Sequence, residues 1–427
     1  MSGYVTGRET VYRGLYQVQA GEILFWNRSE MTLIRDRYYL FYPGQRREEK
    51  ETDLIDDLEE VTNEIFRRVI QKANGATVWI PLSGGLDSRL VACKLHELKY
   101  DRLRAFSYGP PGNYEMKAAK HVAETLKIPW EFIPSKRNFY RKFFHSETRK
   151  QYWEFADGVC SLPFMQDLDT LLALKKDAKI EEDAILINGQ SGDFITGNHI
   201  PASLMERSPS VETLWRAVIE KHFSLWLHLK TEANLRRVKD KILTSLSLKP
   251  EDPVSDRAVP LYEWWEWQER QCKYVVNGQR NYDFVNLSWS LPLWDGAYLR
   301  YWADIPPEHR YAQRLYKRYL ATYDYKGLFK GFSPKLWRWP GWTIAFVPAA
   351  RMVHLLFGKG AAEQFYERMK YFGHYRPYFA SYDFSTFRSK AHLIRSHIAL
   401  DVETWLKENI GTEKILMPGE GGTAEIA

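Results

Sequence analysis

The sequence predicts an α/β fold in which a parallel sheet carries helices on both faces. Between residues 76 and about 134, apolar segments of strand length alternate with helical patterns in the order strand, glycine loop, helix, strand, helix, strand. A further buried strand over residues 184–187 is followed by a second glycine-bearing loop. Ligands of such sheets bind beyond the carboxyl ends of the strands, so we expect both loops to face one crevice.

Patterns outside this region predict the remaining elements. Residues 11–24 and 31–41 alternate between apolar and polar side chains and are joined by short turns, which predicts a β-hairpin. Apolar side chains recur at helical spacing over residues 51–73, and Gly75 stands where that helix would end. From Val211 onwards the pattern is mostly helical, with breaks at prolines.

These patterns divide the chain into four parts. We predict a small β element over residues 1–45, the α/β domain over 50–325, a helical C-terminal extension over 326–415 and a disordered tail over 416–427. A chain of 427 residues with 44% hydrophobic content is long enough for such domains to have their own cores.

Composition narrows the classes of function. The net charge is +6, but 60 basic residues are scattered among 54 acidic ones, so we expect no nucleic-acid partner. The three cysteines, Cys93, Cys160 and Cys272, are far apart and odd in number, which fits a reducing cytoplasm. Neither a signal pattern nor an uninterrupted apolar run of membrane-spanning length is present, so we expect a cytoplasmic protein without a membrane span.

The segment VWIPLSGGLDSR carries the clearest chemistry. A buried strand ends in Ser83, Gly84 and Gly85 just where a helix begins. Glycines let backbone amides approach phosphate oxygens, and the helix N-terminus adds partial positive charge. Ser83 and Ser88 supply hydroxyl donors, while Asp87 can hold Mg²⁺ between phosphates. The loop therefore predicts a phosphate-binding site.

This loop resembles the SGGxDS loop with which ATP-pyrophosphatases bind the pyrophosphate of ATP. Four further segments resemble asparagine synthetase and occur in that family's order: YRGLYQVQAGEILFW, AFSYGPPGNYEMKAAKHVAETL, NGQSGDFITGNH and LPLWDGAYLRYWADIPPEHR. The first of them is similar to the last hairpin of the family's glutaminase domain. The chain is thus identified as a member of the asparagine synthetase family over roughly residues 10 to 320.

The resemblance implies a PP-loop ATPase fold, like that of the adenine nucleotide alpha hydrolases, with ATP and Mg²⁺ as cofactors. It implies that Asp87 and Asp193, from the two loops, bracket the Mg²⁺. The backbone of Leu82, Tyr108 and Gly189 would contact the adenine. A small-molecule carboxylate would be activated as an acyl-adenylate, and ammonia or another amine would then attack it.

The chain departs from the family pattern at several positions. Ser2 stands where the glutaminase nucleophile is a cysteine, so we expect no glutamine hydrolysis, and free ammonia, a separate glutaminase subunit or a different amine supplies nitrogen. The family's loop Glu is Gln190, which cannot act as a base, and the acid after Asp193 is replaced by Phe194. The family's downstream lysine aligns with Arg314, with Lys317 one turn later as a substitute.

The sequence is compatible with several functions. The leading hypothesis is an ATP-dependent amide-forming ligase, able to form a homodimer. A second is a non-catalytic ATP-binding partner subunit, suggested by the departures above. A macrolactam-forming relative is compatible with the aromatic C-terminal region, whereas a tRNA-modifying pyrophosphatase lacks the expected cysteine pair or basic appendage. The activated acid stays open between aspartate, a sugar acid and a peptide, because YVVNGQRNYDFVNLSWS replaces the family's amino-acid segment.

Overall fold

The computed structural model describes residues 1–43, 49–135, 139–330, 346–370 and 381–410. The strands are β1 (Glu22–Asn27), β2 (Thr32–Arg37), β3 (Val78–Pro81), β4 (Leu103–Gly109), β5 (Trp130–Pro134), β6 (Ile185–Ile187) and β7 (Ser288–Ser290). Strands β1 and β2 form an antiparallel hairpin. The other five form one sheet in the order β5-β4-β3-β6-β7, and every neighbouring pair is parallel.

Helices fill most of the remaining chain. They are α1 (Glu51–Ala73), α2 (Leu86–Glu97), α3 (Tyr114–Leu126), α4 (Phe139–Phe144), α5 (Glu147–Ala156), α6 (Leu168–Lys176), α7 (Gly192–Ile195), α8 (Val211–His222), α9 (Glu232–Ser245), α10 (Ala258–Glu266), α11 (Arg280–Phe284), α12 (Gly296–Ala303), α13 (Pro307–Arg310), α14 (Arg314–Tyr323), α15 (Phe346–Lys370), α16 (Phe384–Lys390) and α17 (Ile398–Ile410). A π-helix over Trp267–Val276 continues α10.

The predicted α/β fold is confirmed, because the central strands bury side chains on both faces. In β3, Val78 and Ile80 belong to a core formed with α1, α2, α3, α12 and α14. Trp79 points the other way, into a second core formed with α5, α6, α11 and α17. Successive side chains of a strand point to opposite faces, so one apolar strand organises both helical layers.

The N-terminal prediction is partly wrong. Strand structure begins at Glu22 rather than near Val11, and the earlier segment makes one isolated bridge, between Glu9 and Tyr16. A turn at Gly14, with φ of 80°, interrupts that earlier segment. The hairpin itself lies where it was predicted.

Two further outcomes concern the C-terminal half. The three-residue strand β7 was not predicted, because the alternation around Trp289 covers only a few residues, and pairing with β6 makes it a strand. Helix α17 packs on the second core through Val402 and Trp405.

The four domain boundaries stay predictions, and the tail over 416–427 lies outside the described residues. Across the described ranges, every helix is too short or too polar to cross a membrane.

Candidate active site

The first glycine loop connects β3 to α2 and is already folded around its serines. Helix α2 begins at Leu86, with Gly85 in extended conformation before it. The Ser83 hydroxyl accepts the backbone N–H of Gly85 at 3.1 Å, and the Ser88 hydroxyl accepts the N–H of Ser83 at 3.1 Å. The two hydroxyl oxygens lie 3.0 Å apart. The predicted arrangement of hydroxyls and glycines at a helix N-terminus is therefore present.

A buried arginine that the sequence analysis did not identify anchors this loop. Arg89 is 1% exposed, and its Nη2 donates to the carbonyl of Gly84 at 2.9 Å. Its Nη1 donates to the carbonyl of Leu328 at 2.9 Å. A Cβ on Gly84 would lie 3.2 Å from the ring of Tyr114, so loop and helix α3 are in close contact. Arg89 and helix α3 therefore both hold the loop in position.

The second glycine loop, residues 188–193, leads from β6 into α7 and touches the first loop at Asp87. A Cβ on Gly189 would lie 2.8 Å from the backbone carbon of Asp87. A Cβ on Gly192 would lie 2.7 Å from Cγ of the same aspartate and 2.6 Å from Leu293. Only residues without a side chain allow this approach. The two loops therefore lie against each other, and the crevice that they were expected to face stays a prediction.

Asp87 lies at the centre of this contact. The Tyr316 hydroxyl donates to its Oδ1 at 2.8 Å, and the backbone N–H of Asp193 also donates to its carboxylate. Burial, and then the negative charge of Asp193, raise the pKa of Asp87 from 3.8 to about 7. A neighbouring negative charge that raises the proton affinity of a carboxylate also favours a bound cation at the same place.

Asp193 is held in turn by a histidine. Its Oδ1 accepts the N–H of Phe194 at 2.8 Å, and Nε2 of His199 lies 3.0 Å from Oδ2. Burial alone would raise the pKa of Asp193, but the hydrogen bond and charge of His199 lower it below the usual value. Nδ1 of His199 bonds the fully buried carboxylate of Glu266.

The two acidic neighbours keep this histidine charged. Burial alone would lower the pKa of His199, but the charge of Glu266 and the hydrogen bonds to Asp193 and Glu266 raise it to about 8. Asp193, His199 and Glu266 thus form a continuous chain from the crevice into the protein interior.

The donor set fits Mg²⁺ bound together with a nucleotide. In the described ranges, His, Cys, Asp and Glu side chains nowhere gather in a group of three that could hold a metal by themselves. Mg²⁺ usually binds one or two carboxylates and completes its shell with phosphate oxygens and water. Asp87 and Asp193 would supply the carboxylates, and the first loop would supply hydroxyl and amide donors for phosphate.

The residues predicted to contact adenine lie along the same sheet edge, with some of their polar groups already bonded. The N–H of Leu82 donates to Phe106 at 2.8 Å, and its carbonyl accepts the hydroxyl of Ser107 at 2.5 Å. The Tyr108 hydroxyl donates to Asp167 at 2.6 Å. The predicted contacts of Leu82, Tyr108 and Gly189 with adenine stay predictions.

The three residues predicted to act on the substrate do not touch Asp87. Nε2 of Gln190 donates to Oε1 of Gln166 at 2.6 Å. Arg314 and Lys317 are exposed at the start of α14, and Nζ of Lys317 donates to the carbonyl of Ala312 at 2.7 Å. Tyr316, which lies between them, faces Asp87 instead. Their catalytic roles stay predictions.

Besides Arg89, three further residues of this site were not predicted from the sequence. His199 lies within the segment NGQSGDFITGNH, six residues after Asp193, and could have been found there. Tyr316 lies within QRLYKRYL, where the basic residues were chosen instead. Glu266 has no local signal, because it reaches the site from α10 through tertiary packing.

Comparison with known families agrees with this geometry. The sequence model of the asparagine synthase family matches residues 70–324, which is more than half of the chain and includes both loops. This chain belongs to the asparagine synthase family. The matched domain is that of an ATP-utilising, amide-forming ligase family. No protein with a curated function matches this family member.

Proposed function

We propose that this asparagine synthase family member activates a carboxylate with ATP, as an acyl-adenylate, and then transfers the acyl group to ammonia or another amine. The observation that carries the proposal is the convergence of Asp87 and Asp193 from two loops at the N-terminus of α2. That arrangement suits a triphosphate whose β and γ groups must leave together.

In the first step, an oxygen of the substrate carboxylate attacks the α-phosphorus of ATP. The bond from that phosphorus to the bridging oxygen breaks, and pyrophosphate leaves. The loop residues Ser83, Gly84, Gly85 and Ser88 would hold the leaving group through hydroxyl and amide donors. Mg²⁺, held by Asp87 and Asp193, would neutralise its negative charge.

In the second step, the amine nitrogen attacks the acyl carbon, the bond from that carbon to the phosphate oxygen breaks, and AMP leaves while the nitrogen passes a proton to solvent water. Gln190 cannot take that proton at neutral pH. Its role would be to orient the substrate. Arg314 and Lys317, exposed beside Tyr316, would approach the phosphate charge once substrate is bound.

A separate glutaminase subunit, a homodimer and a cytoplasmic location stay predictions.

A non-catalytic ATP-binding subunit is the second candidate. One observation favours it: Gln190 bonds only amides and no base, and both candidate basic residues are exposed. This reading predicts that ATP binds without release of pyrophosphate. A macrolactam-forming relative would instead release pyrophosphate in the presence of a peptide alone, without added ammonium.

The test is pyrophosphate release from Mg-ATP by the purified protein, with a panel of carboxylic acids, with and without ammonium. Asp87→Asn is the test variant, and Asp101→Asn, which changes an exposed aspartate, is the matched control. We expect acid-dependent release in the parent and the control and its loss in Asp87→Asn. ATP binding without release on any acid would support the non-catalytic subunit and overturn the ligase.

A further inference from the structure

Three glutamine side chains meet at the tip of the second glycine loop. Nε2 of Gln190 donates to Oε1 of Gln166 at 2.6 Å, and Nε2 of Gln279 donates to Oε1 of Gln190. Gln166 is exposed, Gln190 is half-buried and Gln279 is 2% exposed. The cluster therefore leads from solvent into the protein, and we call it the amide cluster.

At the inner end of the amide cluster, one amide oxygen accepts no hydrogen bond. Within the described ranges, Oε1 of Gln279 is buried and has no hydrogen-bond partner, although its Nε2 also reaches the carbonyl of Val275 at 3.4 Å. A buried amide oxygen without a donor has lost its hydrogen bonds to water and gained none in return, which is unfavourable. A ligand that brings a donor to this oxygen would remove that cost.

The amide cluster adjoins the nucleotide site. Gln190 directly follows Gly189, which packs on the backbone of Asp87 and Ser88. The backbone N–H of Gln190 is fixed by Asn188 Oδ1 at 3.0 Å. A substrate whose carboxylate reaches the α-phosphate would therefore place its neighbouring atoms near these amides.

The groups that the cluster contacts are neutral. The nearest carboxylate in sequence, Asp167, is 2% exposed, and its two oxygens accept the hydroxyls of Tyr108 and Tyr282, each at 2.6 Å. Burial raises the pKa of Asp167 despite these two bonds. On the other side of the loop, Asp193 is engaged by His199.

Neutral amides pair well with hydroxyl groups, which donate and accept without a net charge. An ammonium group brought to the same place would lose its hydration, and the neighbouring carboxylate Asp167 already has both oxygens occupied by hydroxyl donors. We propose, on the basis of the function proposed above, that the activated acid carries a hydroxyl where an amino acid carries its α-ammonium group, and that the amide cluster selects it.

The test is acid-dependent exchange of labelled pyrophosphate into ATP, measured with matched hydroxy and amino acids, namely malate against aspartate and 2-hydroxyglutarate against glutamate. We expect the hydroxy acid to be preferred by about tenfold or more in each pair. Gln190→Glu adds the missing negative charge and is expected to shift the preference at least tenfold towards the amino acid.

Two further variants make the result specific. Gln166→Glu changes the exposed member of the cluster, where folding is not at risk, and is expected to shift the preference in the same direction. Gln71→Glu, on an exposed position of α1, adds the same charge elsewhere and should shift nothing. Equal or better exchange with the amino acids in the parent overturns the inference and leaves the proposed function standing. ATP binding without exchange on any acid overturns both.

Discussion

The hydroxyl of Tyr316 donates a hydrogen bond to Oδ1 of Asp87 at 2.8 Å, and so connects α14 to the first glycine loop. Tyr316 is fully buried, and its ring packs against Trp302 and Tyr319. The carboxylate is therefore turned towards the second loop by a group that cannot easily move. Helix α14 thus takes part in the site through a tyrosine.

Tyr316→Phe should weaken the binding of Mg-ATP about tenfold, because a hydrogen bond to a charged group contributes about 1.5–3 kcal/mol. Binding can be followed by tryptophan fluorescence at a series of Mg²⁺ concentrations, and the variant should need more Mg²⁺ for half-saturation. Tyr319→Phe is the control, because its hydroxyl donates to Glu59 instead. Equal effects of the two changes would show that the bond to Asp87 is unimportant.

His199→Asn should also weaken Mg-ATP binding by about tenfold, since Asp193 would lose the partner that orients it and lowers its pKa. Glu266→Gln should have a smaller effect of the same kind, because it acts through His199. His392→Asn, at an exposed position, serves as the control. A normal Mg²⁺ requirement in the His199 variant would contradict the positioning role.

A buried ion pair joins α13 to α10. The guanidinium of Arg310 donates through both terminal nitrogens to Glu263, and the two residues are at most 1% exposed. Glu263→Gln would leave a buried positive charge without its partner, so the free energy of unfolding should fall by about 3–5 kcal/mol. Urea unfolding measures this.

The matched test of that pair replaces both members, as Glu263→Leu with Arg310→Met. With no charge left to bury, the double variant should unfold at a higher urea concentration than Glu263→Gln. The opposite order would mean that the cost arises from packing and not from the unpaired charge.

Stability should depend on pH through Asp401 in α17. Burial raises the pKa of this carboxyl from 3.8 to about 7. The folded chain therefore holds the proton more tightly than the unfolded chain, and the stabilisation, complete below pH 4, is lost as the pH rises towards 7. Asp401→Asn should be more stable than the parent at pH 8 by more than about 1 kcal/mol, since one pKa unit corresponds to about 1.4 kcal/mol.

Urea unfolding at pH 5, 6, 7 and 8 checks this dependence. The difference between the parent and Asp401→Asn should grow over that range, while Asp256→Asn, at an exposed position, should follow the parent. Parallel stability curves for all three proteins would mean that Asp401 does not titrate in this window.

The sequence was sufficient for the α/β core and for the two loops. Strands β3, β4 and β6 are short apolar runs ended by glycine loops, and α1 and α3 carry regular apolar spacing. These are local signals, because side-chain periodicity and glycine conformations depend on neighbours along the chain. The short strand β7 has no such signal and depends on its partner β6.

The sequence by itself determined the side chains available at this site: a glycine loop followed by Asp87, a second glycine loop with Asp193, and the neutral amide Gln190. Only the tertiary structure decided which side chains contact these three residues and their neighbours. Tyr316, Glu266 and Gln279 lie from 67 to 229 residues away from their hydrogen-bond partners Asp87, His199 and Gln190. Such contacts arise from the packing of distant helices against the sheet, which side-chain periodicity along the chain does not specify.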